Sequence, residues 1–233
     1  MTSISEQDYL LAIYRLRGAE SPVSTGSLSV QLGVAPASVT GMLTKLHRAG
    51  LVEHTPYRGV VLTQAGTREA VRLLRRHRLW EVFLTRFLGL PWDQVHEEAH
   101  RLEHATSDRV ADHLARFLSE PAADPHGQAI PDRNGILPHR PCRSLIDVEP
   151  GRTVRIQEVP DADPALLRRL DAIGIYPGTE VTVAAHPLPD GTLPVRVGQD
   201  EHHLDGATAG RIYASDHPPA GPSGSETLER NKP

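Results

Sequence analysis

Glycine and proline punctuate the first sixty residues at intervals that leave little choice of fold. Gly18, Gly33, Pro36, Gly50 and Gly59 cut the stretch into three helix-length segments and a hairpin. Tyr9, Leu10, Ile13, Tyr14 and Leu16 recur at helical spacing on a segment that Gly18 ends. Ser24 to Leu32 reads as a short amphipathic helix stopped by Gly33. Pro36 has the fixed φ and missing N–H that suit a first helical position. It opens a third helix over about residues 37–49, with Val39, Met42, Leu43 and Leu46 inward and Gly50 at its end. Two short helices joined by the turn Leu32 to Pro36 form a helix-turn-helix pattern. Residues 51–54 and 60–63 then flank a tip at 55–59, a β-hairpin. Helix-turn-helix followed by hairpin is a winged helix, so the class is mainly α with small β parts.

The remaining chain changes character twice. A long basic helix is expected over residues 63–88, broken by Gly89 and Pro91, and a second over roughly 92–116. Residues 120–141 are rich in Pro, Gly and Asp and read as a linker too polar to form a core. Short β-branched runs at 154–156, 181–183, 195–197 and 211–213, with one helix at Pro164–Ala172, give a small β-barrel pattern. The tail from Asp216 has the composition of a disordered segment.

Charge narrows the partners. The net charge of −4 argues against indiscriminate coating of nucleic acid, yet residues 1–80 carry ten basic and five acidic side chains. Acids exceed bases over residues 142–214. A basic head on an acidic body suits selective binding of double-stranded DNA. No apolar run reaches the length of a membrane helix, and the polar start carries no secretory signal. The single cysteine, Cys142, forbids an internal disulfide and fits a reducing cytoplasm. Neither a membrane nor a small-molecule substrate is expected.

The chemistry concentrates in Val95-His96-Glu97-Glu98-Ala99-His100-Arg101-Leu102-Glu103-His104. On a helix His96, His100, Glu103 and His104 share one face, while Val95, Ala99 and Leu102 line another that can pack. Imidazoles at i and i+4 with a carboxylate at i+3 suit one divalent ion. His77 and Glu81 repeat the i, i+4 pairing on the preceding helix. His100 to Glu103-His104 also spells H-x-x-E-H, the inverted zinc-peptidase motif, which would make Glu103 a general base. Solvated faces of charged helices are the plainest alternative, and would leave a metal-independent winged-helix regulator.

The chain resembles the diphtheria-toxin-repressor family of iron- and manganese-dependent regulators, in particular manganese-sensing members with a C-terminal SH3-like domain. The residues that carry the likeness are Glu6-Gln7-Asp8-Tyr9-Leu10, Ala37-Ser38-Val39-Thr40, Arg76-His77-Arg78-Leu79 with Glu81, residues 95–104, and Asp124-Pro125-His126-Gly127-Gln128. Further on, Leu170-Asp171-Ala172 and Pro177-Gly178-Thr179-Glu180-Val181 resemble the SH3-like part. The resemblance implies a winged helix over 1–72, a helical metal-binding and dimerisation domain with linker over 73–141, an SH3-like domain over 142–215, and a tail over 216–233. It implies a regulatory metal site at Asp8, His100, Glu103 and His104, and a second at His77, Glu81 and His96. Asp124 and His126 add to that second site in some relatives. Where other relatives draw ligands from the SH3-like domain this chain has Ala162 and Ala165, with Asp161 or Asp163 as substitutes. Homodimers on palindromic operators are implied as well.

Two departures bear on the metal. Asp8 and His100 stand where iron-sensing relatives carry sulfur ligands, and Leu11 stands where short manganese regulators carry a glutamate. Oxygen and imidazole favour Mn(II), with Fe(II) the alternative; Zn(II), Co(II) or Cd(II) would substitute in vitro. On the reading head, Ser38 and Thr40 are short donors for phosphate or base edges, and Ala37 can meet a thymine methyl. Thr25, Lys45 and Arg58 are expected on phosphates. Thr25 and Ser38 could instead be helix caps. With no Arg, Asn or Gln at the leading end of the recognition helix, DNA shape would share the readout.

Overall fold

The computed structural model describes residues 2–216 apart from Ala19 and Pro56, so the tail beyond Asp216 lies outside the described residues. The chain forms two compact units, divided between His139 and Arg140. Among the described residues no helix is long and apolar enough to cross a membrane.

The first unit opens with α1 (Ile4–Leu16), started by a reciprocal cap in which Ser3 Oγ accepts the Glu6 N–H and the Glu6 carboxylate accepts the Ser3 N–H. α2 (Thr25–Leu32) is capped by Ser24 and ends at Gly33, whose φ of 64° only glycine adopts without cost. α3 (Pro36–Arg48) has Pro36 in its first turn, no side-chain cap, and Val39, Leu43 and Leu46 buried. Neither Thr25 nor Ser38 therefore caps a helix. β1 (Val52–Thr55) pairs antiparallel with β2 (Gly59–Leu62), Val52 opposite Leu62. The hairpin is pinned to the head where Val23 and Val60 exchange N–H···O bonds of 2.9 Å. Leu10, Ile13, Leu28, Leu43, Leu46, Val60, Leu73 and Leu74 close one core beneath these elements.

α4 (Gln64–Leu88), capped by Thr63, leaves the hairpin so closely that a Cβ on Gly66 would fall 2.0 Å from the Leu51 carbonyl oxygen. The single helix expected over 92–116 is two. α5 (Val95–Glu103) closes where the Thr106 hydroxyl donates to the Leu102 carbonyl, and Ser107 caps α6 (Asp108–Phe117). Thr106-Ser107-Asp108 is itself a helix-start signal, and it outweighs the continuous periodicity around it. Val95 and Ala99 of α5 pack on Leu84, and Ala111 and Ala115 of α6 on Leu79 and Val82.

The expected polar linker is in large part folded. Asp124, His126 and Ile130 are buried. The arginines of α4 make this possible: Arg78 donates to the Ala129 carbonyl and to Gln128 Oε1, and Arg75 to the Pro131 carbonyl at 3.0 Å. Arg76 and Arg72 meet Asp108 and Arg75 meets Asp112, so much of the positive excess around α4 is neutralised within the unit.

The second unit is a six-stranded antiparallel sheet. In chain order its strands are β3 (Arg143–Ser144), β4 (Thr153–Glu158), β5 (Glu180–Val183), β6 (Thr192–Val197), β7 (Asp200–Asp205) and β8 (Tyr213–Ser215), arranged β3-β8-β4-β5-β6-β7. α7 (Pro164–Ala172) and the short α8 (Gly206–Ala209) complete it. Val154, Ile156, Leu167, Leu170, Val181 and Val195 form its interior. β7 escapes the sequence reading because Asp-Glu-His-His is too polar to read as strand.

Candidate metal centre

α1, α4, α5 and the segment after α6 bring histidines and carboxylates together in the first unit. Asp8 on α1, with His100, Glu103 and His104 at the end of α5, offers four ligand atoms within 4.8 Å of one another. Asp8 Oδ1 lies 3.2 Å from His104 Nε2 and 3.9 Å from His100 Nε2; Glu103 Oε1 lies 3.0 Å from His100 Nδ1 and 3.4 Å from His104 Nε2. A cavity of about 470 Å³ between α1, the end of α2, α4 and α5 opens onto this group, with Asp8, Leu11, Arg15, Gln31, His77 and His100 among its walls. His100 is half exposed while Glu103 is fully buried.

A second group sits behind the first. His77 Nε2 lies 3.0 Å from Glu81 Oε1 and 3.0 Å from His96 Nδ1, and His96 Nδ1 is 3.4 Å from the same Glu81 oxygen. The other nitrogen of His77 is 2.6 Å from Glu103 Oε2, so Glu103 gives one oxygen to each group. Glu81 does likewise: its Oε2 turns to His126 Nδ1 at 3.7 Å, and Glu81, Asp124 and His126 form a third, wholly buried group. Asp124 Oδ1 accepts the N–H groups of His126 and Gln128, and Arg78 Nε approaches its other oxygen at 3.4 Å. Asp163 belongs to the second unit, where it caps α7 by accepting the Ala165 and Leu166 N–H groups.

Electrostatics in this region favour trapped positive charge. Burial works against a charged His77, but Glu81 and Glu103 outweigh it and push the ring up to about 10. Burial likewise opposes, and Glu81 reverses, the shift of His126, pushed up to about 9. Glu103 resists the raising effect of burial through its bonds to His100 and His77 and is pulled down to about 2. Asp8 is raised, chiefly by burial.

Hydrogen positions sharpen the picture. His126 Nε2 is 2.8 Å from the Trp92 carbonyl, an acceptor, so this nitrogen carries a hydrogen, and Nδ1, which holds the second proton in the metal-free protein, faces Glu81 Oε2 at 3.7 Å. His104 Nδ1 is 2.7 Å from Gln7 Oε1, again an acceptor, and the lone pair of Nε2 faces Asp8 Oδ1. Those four facing atoms are buried and make no hydrogen bond among the described residues. A carboxylate oxygen and a ring nitrogen facing each other at such distances call for a proton or a metal cation between them. Carboxylate and imidazole ligand atoms, without sulfur, fit a borderline-to-hard divalent ion.

On the reading head Ala37, Ser38 and Thr40 are exposed on α3, Arg58 is exposed at the hairpin tip, and Thr25 is half-buried at the start of α2. The Thr40 hydroxyl bonds to the Pro36 carbonyl, and Lys45, although 61% exposed, pairs with Glu6 at 3.3 Å. Two residues escaped sequence reasoning. Gln7 touches the ring of His104, and only its place beside Asp8 could have flagged it. Tyr57 stands fully exposed beside Arg58 with a φ of 64°, a left-handed conformation that costs a tyrosine energy.

A winged reading head joined to buried histidine–carboxylate groups defines a metal-responsive, DNA-binding regulator. The profile of the iron-dependent repressor N-terminal DNA-binding domain matches residues 1–60, that of the family's metal-binding and dimerisation domain residues 63–132, and that of the FeoA domain residues 143–216. The chain belongs to the iron-dependent repressor family, whose members are transcriptional regulators. It is 30% identical to the iron-dependent repressor IdeR of Mycobacterium tuberculosis, over 77% of this chain and 83% of that one. Among solved structures it resembles a manganese-dependent transcriptional repressor in complex with manganese, with a TM-score of 0.84, 36% identity, and coverage of 90% of this chain and 98% of that one. ScaR with bound Cd2+ gives 0.80 and 30%, over 90% and 98%. The family is one of DNA-binding regulators, so the peptidase reading of H-x-x-E-H falls. Glu103 is in any case fully buried with both oxygens engaged by histidines.

Proposed function

We propose that the protein is a Mn(II)-activated repressor of metal-uptake genes, acting in the cytoplasm as a homodimer on a palindromic operator. The observation that carries this reading is the pair Asp8 Oδ1 and His104 Nε2, buried, 3.2 Å apart and neither of them satisfied by a hydrogen bond. Asp8, His100, Glu103 and His104 would hold the regulatory ion, and the ion would supply the positive charge that joins α1 to α5. Asp8 is the one ligand on the reading head, so its carboxylate decides whether the head is fixed to the helices behind the wing. A ligand shifts that equilibrium only by its differential affinity for the fixed state.

His77, Glu81 and His96 would hold a second ion, with Glu81 also serving Asp124 and His126. The absence of sulfur among these residues supports Mn(II) and keeps Fe(II) as the ion to compete against it, with Zn(II), Co(II) and Cd(II) as in vitro substitutes. A relative's solved structure holding Cd2+ accords with that tolerance. Ala37, Ser38 and Thr40 would meet base edges, and Thr25, Lys45, Arg58 and Tyr57 the backbone. Exposed Phe87, Leu88, Val110 and Phe117, within the stretch matched by the dimerisation profile, would form the dimer contact.

DNA binding titrated with Mn(II), Fe(II) and Zn(II) tests the reading. Wild type should bind tightly only with metal, most effectively with Mn(II), and Asp8→Ala should lose the response. Equal DNA affinity for chelator-stripped and loaded protein would overturn it.

A further inference from the structure

His104 is gripped at both ring nitrogens by consecutive residues of another helix. Gln7 Oε1 takes Nδ1 at 2.7 Å and Asp8 Oδ1 faces Nε2 at 3.2 Å. On its other side the Gln7 amide donates from Nε2 to Thr2 Oγ1 at 3.3 Å. Its oxygen is the atom presented to the ring, and an amide oxygen only accepts. The hydrogen of a neutral His104 must lie on Nδ1, which leaves Nε2 to bind an ion. Asp8 directly follows Gln7, which closes the first turn of α1. That turn is stiffened by the Ser3–Glu6 cap and tied to α3 through Glu6 and Lys45.

We propose that Gln7 is a positioning residue for the metal centre: it selects the Nδ1–H tautomer of His104 and holds the ring with Nε2 turned to the ion. The inference rests on the metal reading above. Two features make Gln7 the right residue type. Its acceptor fixes the ring without contributing charge, so Asp8 and Glu103 alone balance a divalent ion. Its bond also joins α1 to α5 independently of the ion, so part of the ordering cost is met before metal arrives. Partners that orient a metal-bound histidine commonly govern affinity by about 10- to 100-fold.

The test uses the full-length protein with Mn(II) alone, free Mn(II) being counted by electron paramagnetic resonance, so that no DNA is involved. Gln7→Leu keeps size and removes the acceptor; Gln7→Glu keeps an acceptor at the same reach; Asp8→Ala serves as reference. Gln7→Leu should weaken binding about 10-fold or more. Gln7→Glu should bind at least as well as wild type, and Asp8→Ala should bind far more weakly. Nitrogen-15 spectra of the metal-free proteins should give His104 the Nδ1–H pattern in wild type and Gln7→Glu, and a mixture of tautomers in Gln7→Leu. Wild-type binding by Gln7→Leu would overturn the proposal, and so would equal weakness of Gln7→Glu and Gln7→Leu, the mark of a space-filling role. Unchanged binding in Asp8→Ala would instead strike the metal reading itself, so the two failures are separable.

Discussion

Glu103 turns one oxygen to the group around Asp8 and the other to His77, and through this division protons and a bound ion would be rivals. His77, held up to about 10 against an ordinary 6.5, contributes to metal-free stability fully below pH 6.5 and loses that contribution as pH climbs through about 10. Glu103, pulled to about 2 from 4.5, contributes fully above pH 4.5 and loses it as pH falls towards about 2. Chelator-treated protein should therefore unfold at its highest temperature between pH 4.5 and 6.5, with the midpoint falling on either side; thermal unfolding across the pH range checks this. Metal binding runs the other way. An ion in the second and third groups must displace the protons of His77 and His126, so apparent Mn(II) affinity should rise with pH. Calorimetry in buffers of different ionisation enthalpy should register the released protons. His77 and Glu81, and His96, His100, Glu103 and His104, were legible in the sequence because helical spacing puts each set on one face, whereas Asp8, Asp124 and His126 came only from the family resemblance. The tautomers of His104 and His126 were not, since the atoms that set them come from Gln7 and the Trp92 carbonyl, far away in the chain.

Elements meet most tightly where α4 leaves the hairpin. Gly66 lies so near the Leu51 carbonyl that any side chain there must push the helix away from β1. Gly66→Ala should destabilise the metal-free protein by about 1–3 kcal/mol, read by urea denaturation, although alanine is the better helix former. It should also loosen the joint between the reading head and the helix that carries His77 and Glu81. The three head helices and the hairpin could be read from glycine and proline because each break coincides with the end of an apolar repeat. The break between α5 and α6 was hidden, since apolar periodicity runs on past Ser107 and only its capping chemistry marks the stop. The folded stretch after α6 was hidden for another reason. Its polar residues are buried because arginines of α4 satisfy them, a pairing across some fifty positions that composition cannot reveal.

At the scale of the whole molecule, one surface is apolar and has no partner among the described residues. Phe87 and Phe117, 52% and 60% exposed, lie with ring centres 4.8 Å apart and join Phe83 beneath them. Two copies meeting there would bury aromatic area that water disfavours. A Phe87→Glu, Phe117→Glu protein should sediment as a monomer and keep its first-site Mn(II) affinity. It should lose at least about 10-fold in operator binding, because one head alone grips one half-site.

The stacking of Trp92 on His126, ring centres 5.8 Å apart, gives the molecule a gauge of its own. There are only two tryptophans, and the other, Trp80, is bonded to Thr106 at the far side of α5. Indole emission should thus change when the Glu81–Asp124–His126 group exchanges its proton for an ion, and Trp92→Phe should abolish that component alone. Filling of the innermost pocket can then be followed by light, without dye, label or DNA.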